Sequence, residues 1–235
     1  MLRRNIRIVA LASTLAAVGG ASFATTVASA FTVNLSLGTL AVSGTLTPKK
    51  LNQPVTLPEG SSFTGQTTLE LPGWSGPITG NILVPPFNTT ISLAGVPTTV
   101  GLTFTETAPI QGSFVQDKSG TCSWAEPSLI CLTMSVPTSA NVGITAVGVN
   151  VLGVLGVTTT TECETVEPIT LPLSTTLTLA ELLSVGAHFS GTTTIPPIKC
   201  AGLDGPAVAA ALTTAMSGPE NAYALQIAAP VGKGF

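Results

Sequence analysis

The chain has 235 residues, 44% of them hydrophobic and only 8% charged, with eight basic residues, eleven acids and one histidine. Three of the bases are Arg3, Arg4 and Arg7; beyond residue 30 there remain five lysines, no arginine and all eleven acids, a formal charge of −6. Neutralising phosphate needs clustered cations, so this balance argues against a nucleic-acid binder and against an anionic membrane surface as partner.

The first residues read as an export signal. Arg3, Arg4 and Arg7 make a basic region, residues 8–17 an apolar one, and Ala28-Ser29-Ala30 a small-residue cleavage site. Residues 1–30 are therefore predicted to be a signal peptide, with no transmembrane segment left after its removal. The paired Arg3-Arg4 lacks the rest of a twin-arginine motif, and no cysteine follows the cleavage site as in a lipoprotein. The remaining 205 residues suffice for one β domain or two small ones. Their charge content is low against about 25% in an ordinary domain. Threonine and serine supply the polarity instead, and a hydroxyl-covered surface suits a cell envelope, a matrix, or secreted proteins of low charge generally.

Residues 31–46 open with alternation: Phe31, Val33, Leu35 and Leu37 on one parity, Thr32, Asn34 and Ser36 on the other. Period-two alternation marks a half-buried strand. Residues 55–57, 67–71, 78–84, 89–93 and 98–105 read as further short strands, set apart by Pro or Gly at intervals of about ten residues, the spacing of a sandwich or barrel. Residues 111–127 are more polar and hold Asp117-Lys118-Ser119-Gly120, a hairpin-turn sequence. Residues 129–136 are predicted as a strand. Residues 142–157 are nearly all apolar; they are too short for the roughly 20 residues a bilayer needs and rich in β-formers, which predicts two buried strands with a bend near Gly153. Residues 158–166 and 169–179 continue the β pattern.

Two helices are predicted. Thr178-Leu179-Ala180-Glu181 matches a capping box ahead of Leu182, Leu183 and Val185, stopping at Gly186. Asp204-Gly205-Pro206 starts a second, which Gly218-Pro219 ends. Its body, residues 207–216, is short and apolar, and is expected to cap an open end of the β structure.

Two blocks recur in order. Gln53-Pro54-Val55-Thr56-Leu57-Pro58 returns as Glu167-Pro168-Ile169-Thr170-Leu171-Pro172, an offset of 114; Gly80, followed by Pro85-Pro86, returns as Gly191, followed by Pro196-Pro197, an offset of 111. A duplicated β unit follows. The expected fold is mostly β: a sandwich or barrel of two similar halves with one or two short helices. Residues 31–115 form the first repeat, 116–140 a connecting hairpin segment, and 141–235 a second repeat with the C-terminal helix.

The four cysteines, Cys122, Cys131, Cys163 and Cys200, all follow the signal, and an even count in an oxidising compartment reads as two disulfides. Three pairings are possible; spacing within the repeats favours Cys122–Cys131 and Cys163–Cys200. A zinc site fails on spacing, since there is no C-x-x-C and the single histidine is His188. No phosphate-cradling glycine loop is present, so no nucleotide, metal or other cofactor is expected. A hydrolase would need His188 as base, with Ser75 or Ser190 beside it; Gly73-Trp74-Ser75-Gly76 lacks the G-x-S-x-G spacing and reads as a turn. Glu162, Glu164 and Glu167 are the one acidic cluster. Glu162 and Glu164 flank Cys163 and are expected on a solvated face, with a weak Ca²⁺ site as the outside alternative.

The stretches VSGTLTPKKLNQPVTLPEGSSFTG, VPPFNTTISLAGVPTTVGLTF, ECETVEPITLPL, FSGTTTIPPIKCAGLDGP and SGPENAYAL resemble a family of uncharacterised secreted proteins of actinobacteria, over most of the chain after residue 30. The resemblance implies an extracytoplasmic, envelope location and a Cys163–Cys200 pair, with Cys122 and Cys131 as an addition. It implies no catalytic residues. The leading expectation is a secreted, non-enzymatic envelope or extracellular β protein whose apolar interior accepts a lipid or other apolar small molecule. A self-associating structural or adhesive protein is the alternative, and a hydrolase comes third. An internal cavity of about 300 Å³ or more separates the carrier from the structural protein.

Overall fold

The computed structural model describes residues 31–71, 73–93, 96–118, 130–147, 161–202 and 204–230. The expected signal segment, Ser119-Gly120 of the expected turn, Cys122 and the expected bend near Gly153 lie outside them.

The chain runs β1 (Phe31–Thr47), β2 (Val55–Thr56), β3 (Ser62–Leu71), β4 (Gly76–Leu83), β5 (Phe87–Leu93), β6 (Val96–Glu106), β7 (Ile110–Gln116), β8 (Cys131–Val147), β9 (Thr161–Thr165), β10 (Ile169–Thr178), α1 (Leu179–Ser184), β11 (Gly186–Ile195), β12 (Ile198–Cys200), α2 (Gly205–Met216) and β13 (Gly218–Ala228). All pairings are antiparallel. The protein is mostly β and barrel-like, as expected, and the barrel is not closed.

Two 17-residue strands, β1 and β8, organise it. From β1 the ladder runs to β3, β4 and β7; from β7 it passes to β8 and on to β10. On the other flank of β1 stand β13 and then β11. β11 comes back beside β10, but no ladder joins those two. The pairing order β1–β3–β4–β7 therefore recurs as β8–β10–β11–β13, with that one ladder missing. The second unit begins at Cys131, inside the segment expected as a connector.

Both repeated glycines are covered by an aromatic side chain, though from different strands of the two units. Phe63 from β3 lies over Gly65 and Gly80, where an added Cβ would come within 2.5 and 2.6 Å of its ring. Tyr223 from β13, the counterpart of β7, covers Gly191, with its hydroxyl 2.7 Å and its Cζ 2.9 Å from such a Cβ. Both repeated glycines are thus small because an aromatic ring crosses them. Each Pro-Pro follows a ring strand, β4 or β11, and leads into a strand outside the ring, β5 or β12. Proline cannot donate to a ladder, which ends pairing there.

The alternation of β1 changes parity part-way. Val33, Leu35 and Leu37 are half-buried, whereas Leu40 and Val42 are buried. A register shift in the β1–β3 ladder between Ser36 and Gly38, with Gly38 at φ 69°, inserts the extra residue.

Two apolar clusters result. One fills the ring, with Phe63, Ile78, Ile110, Phe114, Leu173 and Phe189 among its members. The other lies where the second half of β8 is flanked by β6 and β9, with β5 and β12 outside them. α2 covers this second cluster. Val208, Leu212 and Met216 recur on one of its faces and are all buried, each worth about 1.5–3 kcal/mol. It is α1 that lies at an end of the barrel, not the C-terminal helix of the sequence expectation. β5 is an outer strand, and Gln53 covers its edge: Nε2 donates to Thr90 O at 2.6 Å and Oε1 accepts from Ser92 N at 3.3 Å, the two bonds a neighbouring strand would make.

Candidate apolar binding site

The two ring units differ most in how their second and third strands are joined. Between β3 and β4 the chain turns tightly through Trp74, at φ 45°. Between β10 and β11 the six-residue α1 takes that place. Its capping box forms as expected. Thr178 Oγ1 accepts from Glu181 N at 3.1 Å, and Glu181 Oε2 accepts from Thr178 N at 2.7 Å and from its hydroxyl at 2.9 Å. The backbone hydrogen bond from Thr178, and then that from its hydroxyl, hold the Glu181 carboxyl below its ordinary range. Leu179 N donates to Ile130 O at 2.8 Å, tying the helix to the start of β8. After α1, Gly186 has φ 96°, and a Cβ there would meet Ile227 O at 2.0 Å. This contact, closer than any side chain tolerates, anchors the return into β11.

Beneath α1 is a cavity of about 340 Å³. Leu179, Leu182 and Leu183 form its roof. Phe63, Leu132, Met134 and Ile227 are among its walls, and Ala187 lets it reach β11. The tip residue Trp74 closes one side. Thr67 brings the one hydroxyl to the lining, and that hydroxyl donates to Pro77 O at 2.7 Å. No charged residue lines the cavity among the described residues. Such a space offers dispersion and water exclusion, with the Thr67 oxygen and the Trp74 indole as its few polar side-chain groups.

At the β10–β11 seam one ladder donor is missing by sequence. Pro172, opposite Pro137 in the β8–β10 register, has no N–H to offer β11. Side chains bridge the seam instead: Thr193 Oγ1 donates to Thr170 O at 2.7 Å, and Tyr223 Oη donates to Pro172 O at 3.0 Å. Burial pushes the Tyr223 phenol up from its ordinary value. A second cavity of about 90 Å³ lies farther along the interior, between Val42, Leu57, Phe104 and Leu171. At its margin Glu106 accepts from Asn81 Nδ2 at 2.8 Å and from Ile82 N at 3.3 Å.

The residues singled out for chemistry lie elsewhere. His188 and Ser190 are exposed on β11, two residues apart, and Ser75 sits in the β3–β4 turn paired with Glu70. Glu162 and Glu164 face solvent on β9 while Cys163 between them is buried, the parity expected. Glu164 pairs with Lys199 at 2.9 Å. Among the described residues no group of three or more metal-ligating side chains forms. Cys163 and Cys200 stand opposite in the β9–β12 register and are disulfide-bonded, with Cα atoms 4.0 Å apart. Cys131 is disulfide-bonded as well; Cys122, its expected partner, lies outside the described residues.

The sequence analysis missed the cavity residues. The usable signal was the apolar triplet Leu179, Leu182 and Leu183 on one face of a helix too short to be stable unaided. Compared with protein-family models, curated proteins and solved structures, the chain matches none.

Proposed function

We propose that this chain is a non-enzymatic, extracytoplasmic β protein that holds an apolar, lipid-like ligand inside its barrel. The observation that carries the reading is the cavity of about 340 Å³ roofed by three leucines of α1, with its lone hydroxyl already engaged. It exceeds the lower size of small-molecule sites, about 300 Å³. The Cys163–Cys200 bond is compatible with an oxidising compartment, and no helix among the described residues is long and apolar enough to cross a membrane. Native mass spectrometry of protein secreted by its host tests the reading. Retained lipid-like mass, lost on organic extraction and restored on adding it back, supports it. Protein that is secreted empty and takes up no neutral apolar fluorophore removes it.

A self-associating surface protein is the second reading. Phe31, Val115 and Val185 stand around the α1 end and are about half exposed, at 58%, 48% and 51%. Sedimentation at increasing concentration separates the readings. A carrier stays monomeric in the loaded state, whereas a self-associating protein forms oligomers that Phe31→Ser disperses.

A further inference from the structure

We infer that the cavity is built for a single hydrocarbon chain of about a dozen carbons whose polar end stays outside, beside α1; this rests on the apolar-ligand reading above. An apolar cavity of about 150 Å³ accommodates benzene, six carbons. The 340 Å³ beneath α1 scales to about twice that number. A two-chain lipid does not fit such a volume.

Among the described residues the lining holds no charge to receive an ionised head group. The Thr67 hydroxyl is bound to Pro77 O, and every other lining side chain is apolar apart from the Trp74 indole. A charged group there would lose its hydration without a partner. The head group must therefore project past α1. That helix has six residues, none of them buried, and it stands where the β10–β11 seam has no ladder. It is the weakest part of the cavity wall.

The described ionisable groups of the rim are of both signs: Glu70 at the end of β3, Asp117 and Lys118 after β7, and Glu181 on α1, the last engaged by Thr178. A chain cleaved after Ala30 adds the Phe31 ammonium. Exposed pairs through water are weak, so the rim sets no strong preference for head-group charge, and Phe31, Val115 and Val185 give it an apolar character.

The test displaces a neutral naphthylamine fluorophore from the purified full-length secreted protein at pH 7, using octan-1-ol, decan-1-ol, dodecan-1-ol, hexadecan-1-ol, dodecanoate and dodecylammonium below their micelle concentrations. Affinity should rise roughly fourfold per added methylene up to dodecan-1-ol and level off by hexadecan-1-ol, because further carbons stay in water. Dodecanoate and dodecylammonium should also displace the fluorophore, since a head group of either charge stays in water beside α1. Ala187→Leu, which adds bulk to the wall at the start of β11, should move the plateau to a shorter alcohol. Leu183→Phe on the half-buried roof should do the same if the buried substitution fails to fold. A rise that continues through hexadecan-1-ol, or ions that fail to displace the fluorophore while dodecan-1-ol does, overturns this inference while the carrier reading stands. If neither the fluorophore nor any alcohol binds, the carrier reading falls, and this inference with it.

Discussion

Removing the two hydroxyls that bridge the β10–β11 seam should loosen this side of the barrel and leave the rest intact. The double variant Thr193→Val, Tyr223→Phe deletes the bonds to Thr170 O and Pro172 O while keeping nearly all the packing volume. Each intramolecular hydrogen bond contributes about 1 kcal/mol net, so the pair should cost about 2 kcal/mol. For a chain of this size that lowers Tm by about 4–8 °C. Thr193 and Tyr223 are near neighbours, in register with Asn221 and Gly191 respectively, so the single variants need not sum. Urea unfolding measures the total, and amide exchange locates it. Protection should fall in β10 and β11 and stay unchanged in the laddered β3–β4 pair. Tyr223 is the only tyrosine in the chain, so phenolate absorbance reports it alone. Its phenol is raised by burial, so the stability it contributes is complete below the unfolded value, about pH 10, and is lost as pH rises through the folded one. Tyr223→Phe should lack that alkaline loss. A double variant as stable as the parent, or one whose exchange rises equally in β3 and β4, would refute the seam as the barrel's weak line.

Three further outcomes are expected. Cys163→Ser with Cys200→Ser opens a loop of 37 residues and should cost about 4 kcal/mol in chain entropy, measured by urea midpoint under oxidising conditions. Phe63→Ala removes a ring that is 2% exposed and should cost about 3–5 kcal/mol, while enlarging the cavity so that the longest chain accommodated increases. The Glu181 carboxyl is held low by Thr178. Its contribution is therefore present above the unfolded carboxyl value and lost as pH falls through the folded one. Exchange of the α1 amides should accelerate over that acid window in the parent, and show no such step in Glu181→Gln.

Much of the framework was legible because it rests on local chemistry. The alternation from Phe31 onward, the capping box at Thr178, the proline start at Pro206 and the inward Cys163 between two exposed glutamates each depend on residues within a few positions. β7 was hidden because only Ile110 and Phe114 point inward as large side chains. Between them Gly112 has to be small, since a Cβ would come within 2.4 Å of Ser135 O. β13 was hidden by its start, where Gly218 at φ 145° and Glu220 at φ 61° break the pattern before Asn221, Tyr223 and Ile227 turn inward. The cavity was illegible for another reason. Leu40, Phe63, Leu132 and Ile227 are ordinary core residues, and the space between them exists only because a helix replaces a turn on a ring assembled from distant segments.

The duplication explains why function is sought at that place. Two copies of one strand order, β1–β3–β4–β7 and β8–β10–β11–β13, need the same inward packing, and each puts an aromatic ring over the repeated glycine. Those shared features serve the fold. A structural ring would also be expected to repeat its tight turn and its ladder, because each ladder bond and each short loop favours closure. The second copy departs from the first in both. It has Pro172 where a donor would extend the ladder, and α1 where the first copy turns at Trp74. The two departures lie on the same side of the ring but at opposite ends of β10: α1 roofs the cavity of about 340 Å³, whereas Pro172 stands next to Leu171 of the cavity of about 90 Å³. On the carrier reading proposed above, the α1 end is where that side would open, while the side-chain bonds from Thr193 and Tyr223 keep β10 and β11 together at the other end.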